Sequence, residues 1–168
     1  MFITFVTGGQ RSGKSSYAVR AAEGISPNPV YLATARHWDE DFTQRIRRHQ
    51  ADRGSQWETL EVETQIGSVT LQKRVVVLDC ITLWLTNLFH DNHYDVELTL
   101  KEAKKEWALF METDNRVFVV SNELGMGIHA QDAVSRQFTD LQGWMNQHIA
   151  RCAQEVVLMV SGIAVKIK

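Results

Sequence analysis

The sequence is poor in cysteine and proline, with two of each among its 168 residues. Cys80 and Cys152 lie far apart and outside any CxxC pair, so zinc or redox chemistry finds no support. No apolar run approaches the roughly 18 residues of a membrane-spanning helix, and residues 1–6 are too short an apolar start for a signal peptide. We therefore predict a cytoplasmic protein with two reduced, buried thiols.

An excess of charge of one sign is also missing, because 18 basic and 20 acidic residues leave a formal net charge of -2. Such a chain produces no global positive field, so we expect neither nucleic acid nor an anionic membrane as a partner. With 44% hydrophobic residues, it can bury an apolar core without disulfides or structural metal. Its length suits a single domain over residues 1–168.

Short β-rich runs alternate with stretches of helix-forming residues. The predicted strands are 2–7, 30–33, 75–78, 117–121, 156–161 and 163–167, with 57–63 as a candidate edge strand. The predicted helices are 14–23, 39–53, 81–90, 96–111 and 131–153. This alternation predicts an α/β fold with a mostly parallel sheet and helices on both faces. The last two strands, separated by Gly162, would add antiparallel pairing at one edge.

Residues 8–15, GGQRSGKS, fit the P-loop pattern GxxxxGK[ST] between a predicted strand and a predicted helix. Glycines let the backbone wrap around a polyphosphate, and the helix N-terminus adds partial positive charge. Lys14 would reach the outer phosphates as a catalytic residue, and the Ser15 hydroxyl would bind Mg²⁺. The predicted phosphate-binding residues are Gly8, Gly9, Gln10, Arg11, Ser12, Gly13, Lys14 and Ser15. The motif predicts a nucleotide-binding fold of the P-loop NTPase type.

An acidic residue ends the apolar run 75–78. P-loop proteins usually take a second magnesium contact from an acid at the end of a neighbouring buried strand, and Asp79 matches that position. Ser15 and Asp79 are therefore the predicted magnesium ligands. Taken alone, Asp79 is equally compatible with a strand end followed by a helix cap. No NKxD-like guanine motif is present, so the two elements leave the base and the reaction open.

Several further stretches resemble one family in their order and spacing. They are 33–35 (ATA), 45–49 (RIRRH), Arg53 with 57–61 (WETLE), 79–82 (DCIT), 121–128 (SNELGMGI), 146–147 (NQ) and 161–168 (SGIAVKIK). With the P-loop, they closely resemble the bifunctional adenosylcobinamide kinase/adenosylcobinamide-phosphate guanylyltransferase family of cobalamin biosynthesis. The resemblance runs over nearly the whole chain, and it implies a RecA-like form of the P-loop fold.

The resemblance implies two reactions at one nucleotide site. ATP or GTP phosphorylates the hydroxyl of adenosylcobinamide, and GTP then donates GMP to that phosphate, releasing pyrophosphate and forming adenosylcobinamide-GDP. The family pattern RIxxH implies that GMP passes through a covalent bond to His49. A neutral imidazole is a competent nucleophile at cellular pH, and the surrounding arginines suit a charged phosphorus centre. A solvated surface histidine is the alternative.

The family match also implies further nucleotide contacts and partners. The implied nucleotide-binding residues are Ala33, Thr34, Ala35, Gln50, Ala51, Asp52, Arg53, Glu61 and Asp79. Glu61 would face the guanosine, although an exposed strand acid is the alternative. The implied partner is the corrinoid substrate, bound by a homotrimer. Two departures, Arg48 before the nucleophile and Gly54 in place of the family's proline, affect details of the GTP pocket.

Two other functions are compatible with the P-loop. A monofunctional kinase of another small alcohol would use Lys14, Ser15 and Asp79 but leave His49 idle. A non-enzymatic, nucleotide-gated interaction module would use the polar loop 122–130 as its moving contact surface. For the corrinoid, Trp84 and Phe89 on the apolar helix after Asp79 are candidate contacts, with core packing as the alternative.

Overall fold

The computed structural model describes residues 1–36 and 54–168. The strands are β1 (Phe2–Gly8), β2 (Val30–Ala33), β3 (Glu58–Glu61), β4 (Val75–Asp79), β5 (Arg116–Asn122), β6 (Glu155–Val160) and β7 (Ile163–Lys166). The helices are α1 (Lys14–Glu23), α2 (Ile81–Asp91), α3 (Val96–Met111) and α4 (Ala133–Cys152), with a 3-10 turn at Ile66–Ser68. Each of these strands and α-helices lies within two residues of its predicted bounds. The predicted helix 39–53 falls outside the described residues.

The seven strands form one sheet in the order β3-β2-β4-β5-β1-β6-β7. All pairs are parallel except β6 with β7, which is antiparallel. The predicted fold class, including the antiparallel edge, is therefore confirmed. The prediction that the strand of Asp79 neighbours the P-loop strand is wrong, because β5 pairs with both β4 and β1 and separates them. The interior of β5 is buried throughout, as a central strand of a covered sheet requires.

The larger core lies between the sheet and helices α2, α3 and α4. Its largest fully buried side chains include Trp84 of α2 and Trp107 and Phe110 of α3. Phe89 is also buried in this core, and the Trp84 indole donates a hydrogen bond to the Thr64 carbonyl at 2.7 Å. The alternative of core packing for Trp84 and Phe89 is therefore correct, and neither offers a surface to a corrinoid.

Helix α1 packs on the opposite face over a smaller cluster. Ala18 and Ala22 of α1 are buried against Val77, Phe118 and Val120 of the central strands. Alanines at this spacing let the helix approach the sheet closely, and its first turn therefore comes to the carboxyl edge of β1. None of the helices in residues 1–36 and 54–168 is long and apolar enough to cross a membrane.

The two thiols differ from each other in burial. Cys80, directly before α2, is buried as predicted, whereas Cys152, at the end of α4, is only half-buried. The prediction of two buried thiols is thus correct for Cys80 alone. Desolvation raises the pKa of the Cys80 thiol to about 12, and the nearby Asp79 carboxylate adds to that effect.

Candidate nucleotide-binding site

The P-loop connects β1 to α1 through a backbone that only glycine permits at two points. A Cβ atom on Gly8 would lie 2.5 Å from the carbonyl oxygen of Met159, and Gly13 has a φ of 93°. Within the loop, the N–H of Ser12 donates to the Gly9 carbonyl at 3.2 Å. The turn between β6 and β7 supports it from outside, since the Gly162 N–H donates to the Ser12 carbonyl at 3.0 Å. The loop is therefore tightly packed against the end of the sheet.

Lys14 begins α1 and is only 6% exposed. Its ammonium Nζ donates to the carbonyl oxygen of Gly9 at 2.7 Å. Burial lowers the pKa of Lys14, and the neighbouring Cys80 and Asp79 partly offset that effect. The amine thus folds back over its own loop, and it can exchange the Gly9 carbonyl for an entering phosphate without leaving the site.

Two hydroxyl groups in or next to the P-loop are buried without a hydrogen-bond partner in the described part of the chain. They belong to Thr7, near the end of β1, and to Ser12 in the loop. Buried polar groups are normally satisfied, so the orphaned Ser12 hydroxyl in an anion-binding loop points to a missing acceptor. A phosphate oxygen is an acceptor of the required chemistry.

Asp79 ends β4 on the same face of the sheet as α1. The Tyr31 hydroxyl of β2 donates to Asp79 Oδ2 at 2.8 Å, which orients the carboxylate. Thr34 holds the next residue, since its hydroxyl donates to the Cys80 carbonyl at 2.7 Å and accepts from the Cys80 N–H at 2.8 Å. Thr34 is fully buried, so its side chain positions the segment that carries Asp79.

The remaining described site residues line the same carboxyl edge. In the strand register, Ala33 of β2 pairs with Asp79 on one side and with Glu61 of β3 on the other. Glu61 is an exposed residue at the end of the edge strand. Four strand spacings separate β3 from the P-loop strand, which is about 19 Å. The P-loop, Asp79 and Glu61 thus lie in one row along the carboxyl edge of the sheet.

A cobinamide kinase/cobinamide phosphate guanyltransferase family model, CobU, matches residues 4–167. Relatives are similar over almost their whole length. The bifunctional adenosylcobalamin biosynthesis protein CobU of Escherichia coli is 36% identical over 97% of this chain and 98% of that protein. The protein of the same name from Salmonella typhimurium is 35% identical with the same coverage. The chain belongs to this family.

A further relative agrees with that placement, and a solved structure agrees with the fold. The bifunctional adenosylcobalamin biosynthesis protein CobP of Pseudomonas aeruginosa is 34% identical over 97% of this chain and 95% of its own. Among solved structures, an ATPase from the type III secretion system of pathogenic bacteria superposes with a TM-score of 0.59. That likeness covers 98% of this chain and 56% of the other at 7% identity, so it supports the fold alone. Family membership does not favour the alternative of a monofunctional kinase of another alcohol.

For the family's chemistry, the structure brings together only part of the predicted residue set. The P-loop, Ala33, Thr34, Ala35, Glu61 and Asp79 lie at the carboxyl edge of the sheet. The predicted nucleophile His49 and the contacts Gln50, Ala51, Asp52 and Arg53 lie outside the described residues. Their roles stay predictions.

The oxygen groups at this edge fit a magnesium ion, which prefers carboxylate and hydroxyl ligands together with phosphate oxygens. Ser15 stands in the first turn of α1, and the Tyr31 hydrogen bond occupies only one oxygen of the Asp79 carboxylate. Within residues 1–36 and 54–168, no group of three or more histidine, cysteine or acidic side chains could hold a metal alone. A magnesium ion here would therefore depend on the nucleotide for most of its ligands.

A buried polar network behind the P-loop was not assigned a role from the sequence. The Ser121 hydroxyl donates to Asn146 Oδ1 at 2.7 Å, and Gln142 Nε2 donates to both side chains at 2.7 and 3.0 Å. Asn146 Nδ2 in turn donates to the carbonyl of Asn122 at 3.1 Å. The motifs at 121–128 and 146–147 carried the family resemblance, but only the structure shows that they meet.

Open space adjoins the crest of the P-loop. A cavity of about 350 Å³ is lined by Gly9, Gln10, Arg11, Ser12, Glu123, Met126, Leu158, Met159, Val160 and Ser161. Met126 is 78% exposed, and Ile128 in the same loop is fully exposed. The loop after β5 therefore borders the phosphate site with Glu123 and the largely exposed Met126.

Proposed function

We propose that this protein performs both reactions of its family at the single P-loop site. ATP or GTP first phosphorylates adenosylcobinamide, and GTP then supplies GMP to the resulting phosphate, giving adenosylcobinamide-GDP and pyrophosphate. The observation that carries the proposal is the convergence of Lys14, the first turn of α1 and Asp79 at one sheet edge. Membership of the family, which matches residues 4–167, supports the choice of substrate.

In the kinase step, the residues of this chain act mainly by position and charge. The backbone N–H groups of the P-loop and the N-terminus of α1 would hold the phosphates. Lys14 would leave the Gly9 carbonyl and contact the transferred phosphoryl group, whose negative charge spreads over its oxygens. A magnesium ion held by Ser15 and Asp79 would supply further neutralisation of phosphate charge. The substrate hydroxyl then attacks the terminal phosphorus, and the nucleoside diphosphate departs.

In the guanylyl step, His49 is the proposed nucleophile. A ring nitrogen of its neutral imidazole attacks the α-phosphorus of GTP, and pyrophosphate leaves with the electrons of the broken P–O bond. A phosphate oxygen of adenosylcobinamide phosphate then attacks the same phosphorus and releases the imidazole. The proposed guanosine contacts are Gln50, Ala51, Asp52, Arg53 and Glu61. The row of Glu61, Ala33 and Asp79 supports a nucleotide lying along this edge.

The corrinoid substrate needs a wide and partly apolar surface near the P-loop. The cavity beside residues 9–12 and the exposed Met126 supply such a surface in one chain. We further propose a cytoplasmic homotrimer, as the resemblance implies. Association between copies is supported by edge strand β7, all of whose residues are exposed, among them Ile163 and Val165. Light scattering should give three times the mass of one chain, and a monomer in dilute solution would contradict the trimer.

The test of the covalent step is His49→Asn, followed with GTP labelled at the α-phosphate. Asparagine cannot form the phosphorus–nitrogen bond, so the variant should make adenosylcobinamide phosphate from ATP yet retain no label after denaturation. Wild-type labelling should fall below about pH 6, because imidazolium has no lone pair for attack. His93→Asn is the matched control, since His93 is exposed and has a left-handed φ of 51° that asparagine tolerates. Retained label in His49→Asn would place the nucleophile elsewhere.

A further inference from the structure

Asn87 lies in α2 and is fully buried. We propose that Asn87 is a positioning residue for the guanine base of GTP. Through two hydrogen bonds it holds the chain beyond β3 against the end of β2, and it thereby places the Glu61 carboxylate for the base. The proposal rests on the proposed function, which makes Glu61 a guanosine contact. It assigns nucleotide selectivity to a side chain that is itself sealed from the nucleotide.

The carboxamide of Asn87 bridges two segments at the carboxyl edge of the sheet. Its Nδ2 donates to the carbonyl oxygen of Thr34 at 2.8 Å and to that of Glu63 at 2.9 Å. Thr34 directly follows β2, and Glu63 lies just beyond Glu61, the last residue of β3. Because both partners are acceptors, only the amide nitrogen, with its two hydrogens, can satisfy them. Asn87 therefore ties the end of β2 to the chain that leaves β3.

Strand β3 depends on such a tie. It is the outer strand at its end of the sheet, and among the described strands it pairs with β2 alone. It is four residues long, and all but Leu60 are exposed, so little apolar burial holds it in place. Short, exposed edge strands open locally at low cost. A contact directly beyond Glu61 therefore restrains where its carboxylate lies.

Two further side chains of α2 hold the same segment. The Trp84 indole donates to the Thr64 carbonyl at 2.7 Å. At the end of the helix, the Asp91 carboxylate accepts two hydrogen bonds from Arg36, each at 2.8 Å. The Arg36 Nε also donates to the Glu63 carboxylate. Residues 63–64 are thus linked to α2 through both backbone carbonyls and through one side chain.

An unsatisfied oxygen indicates that Asn87 does more than fill space in the core. Its Oδ1 is buried without a hydrogen-bond partner among the residues that the structure describes. A buried, unpaired oxygen lowers stability, so an amide is a poor choice for packing alone. The two donors, and the chain geometry that they impose, account for an asparagine at this position.

The distance of β3 from the P-loop makes the expected effect selective. β3 lies four strand positions from β1, so a shift at its end moves Glu61 without moving the phosphate site. Thr34 keeps both of its hydrogen bonds to Cys80 without Asn87, so the segment of Asp79 also stays in place. A binding group must be held within about 0.5 Å of its productive position. Loss of Asn87 should therefore impair contact with the base alone.

Guanine and adenine differ at the edge that a carboxylate would contact. Guanine presents hydrogen-bond donors at N1 and N2, and the Glu61 carboxylate can accept from both. Adenine has an acceptor at N1 and no amino group at C2, so it gains nothing from the same carboxylate. Asn87 should therefore raise the affinity for GTP and leave the affinity for ATP unchanged.

Calorimetry with Mg²⁺ and the β,γ-imido analogues of GTP and ATP tests this inference. Asn87→Leu keeps a similar volume without the donors, and it should weaken binding of the GTP analogue about tenfold while leaving the ATP analogue unchanged. Glu61→Ala should lose at least as much. The double variant should lose no more than Glu61→Ala, because Asn87 acts through that carboxylate. Asn92→Leu is the matched control, since this asparagine caps the same helix but donates to Thr99 and Glu102.

Thermal unfolding sets a temperature at which every variant is folded. If Asn87→Leu does not fold, Glu63→Ala decides, because Glu63 is exposed and its loss should shift GTP affinity in the same direction by a smaller factor. Equal losses for both analogues, or additive losses in the double variant, would overturn the proposal. A loss in Glu61→Ala with none in Asn87→Leu would overturn this proposal alone. Unchanged GTP affinity in Glu61→Ala would refute the guanosine contact of the proposed function, and this proposal with it.

Discussion

The two faces of the sheet differ in the size of the core that they bury and in the ionisable groups that they carry. On one face, α2, α3 and α4 cover a large core that contains Trp84, Trp107 and Phe110. On the other, α1 covers a small cluster built on alanines, and the ionisable groups Lys14 and Asp79 emerge at its edge. The wide core is built for burial of apolar area, and the narrow one allows a charged helix start to approach the strand ends.

This difference means that stability and chemistry should respond to different substitutions. Burying a large aromatic side chain stabilises the fold by removing apolar surface from water. Burying the Lys14 ammonium instead costs free energy, because desolvation disfavours its charged form and lowers its pKa. We therefore expect substitutions on the face of α2, α3 and α4 to lower stability, and substitutions at the edge of the α1 face to lower activity.

The largest effect should come from Trp107→Ala on the face of α3. Trp107 is 1% exposed, and truncation of such a side chain typically costs about 3–5 kcal/mol of unfolding free energy. Chemical denaturation measures this loss, and Lys105→Ala, exposed on the same helix, is the control. The variant should keep near-normal kinase turnover at a temperature where it is folded. A loss of turnover in folded protein would contradict the assignment of stability to one face and of activity to the other.

Lys14→Ala should show the converse pattern. Removal of one preorganised electrostatic contact costs about two to three orders of magnitude in rate, and both reactions should suffer because both develop charge on phosphate oxygens. Unfolding free energy should change little, since a buried charge is lost together with its contact. Formation of adenosylcobinamide phosphate and release of pyrophosphate from GTP are the two assays. Arg20→Ala, exposed later in α1, is the control, and surviving kinase activity in Lys14→Ala would refute a shared site.

The smallest effects should come from the acid that faces α1. Asp79→Asn removes a charged ligand and should raise the magnesium midpoint of GTP turnover by at least about tenfold. Tyr31→Phe removes the hydroxyl that donates to Asp79, a contact of about 1 kcal/mol, so it should raise the midpoint by less. The order Asp79→Asn above Tyr31→Phe above wild type is the expected result. An unchanged midpoint in Asp79→Asn would return that residue to the role of a strand end.

The sequence was sufficient to predict the strands and helices of the described residues, but not which strands lie next to each other in the sheet. Strand and helix bounds follow from local periodicity, and the run 75–79 was recognisable because a central strand must be apolar on both faces. Strand order depends instead on long crossovers, so the insertion of β5 between β1 and β4 left no local trace. The P-loop motif predicted the phosphate site, because its spacing dictates its backbone.

The supporting side chains were beyond sequence analysis for the same reason. Tyr31 looks like any strand aromatic until the register brings its hydroxyl to Asp79. Likewise, Asn146 and Asn122 lie far apart in sequence and meet only through the packing of α4 on β5. The motif at 121–128 contributed to the family resemblance, but the role of each of its residues depends on which face of the sheet that residue occupies.

The position of β1 has a consequence for how the protein is made. The strand that leads into the P-loop is synthesised before both of its partners in the sheet, since β5 and β6 come more than a hundred residues later. During synthesis, β1 must therefore wait with its backbone unpaired while β2 and β4 can already associate. The Gly162 bond that supports Ser12 forms later still. Nascent chains should thus gain nucleotide affinity abruptly, once β5, β6 and β7 have been synthesised, and a chain stalled before β5 would expose an apolar strand to chaperones.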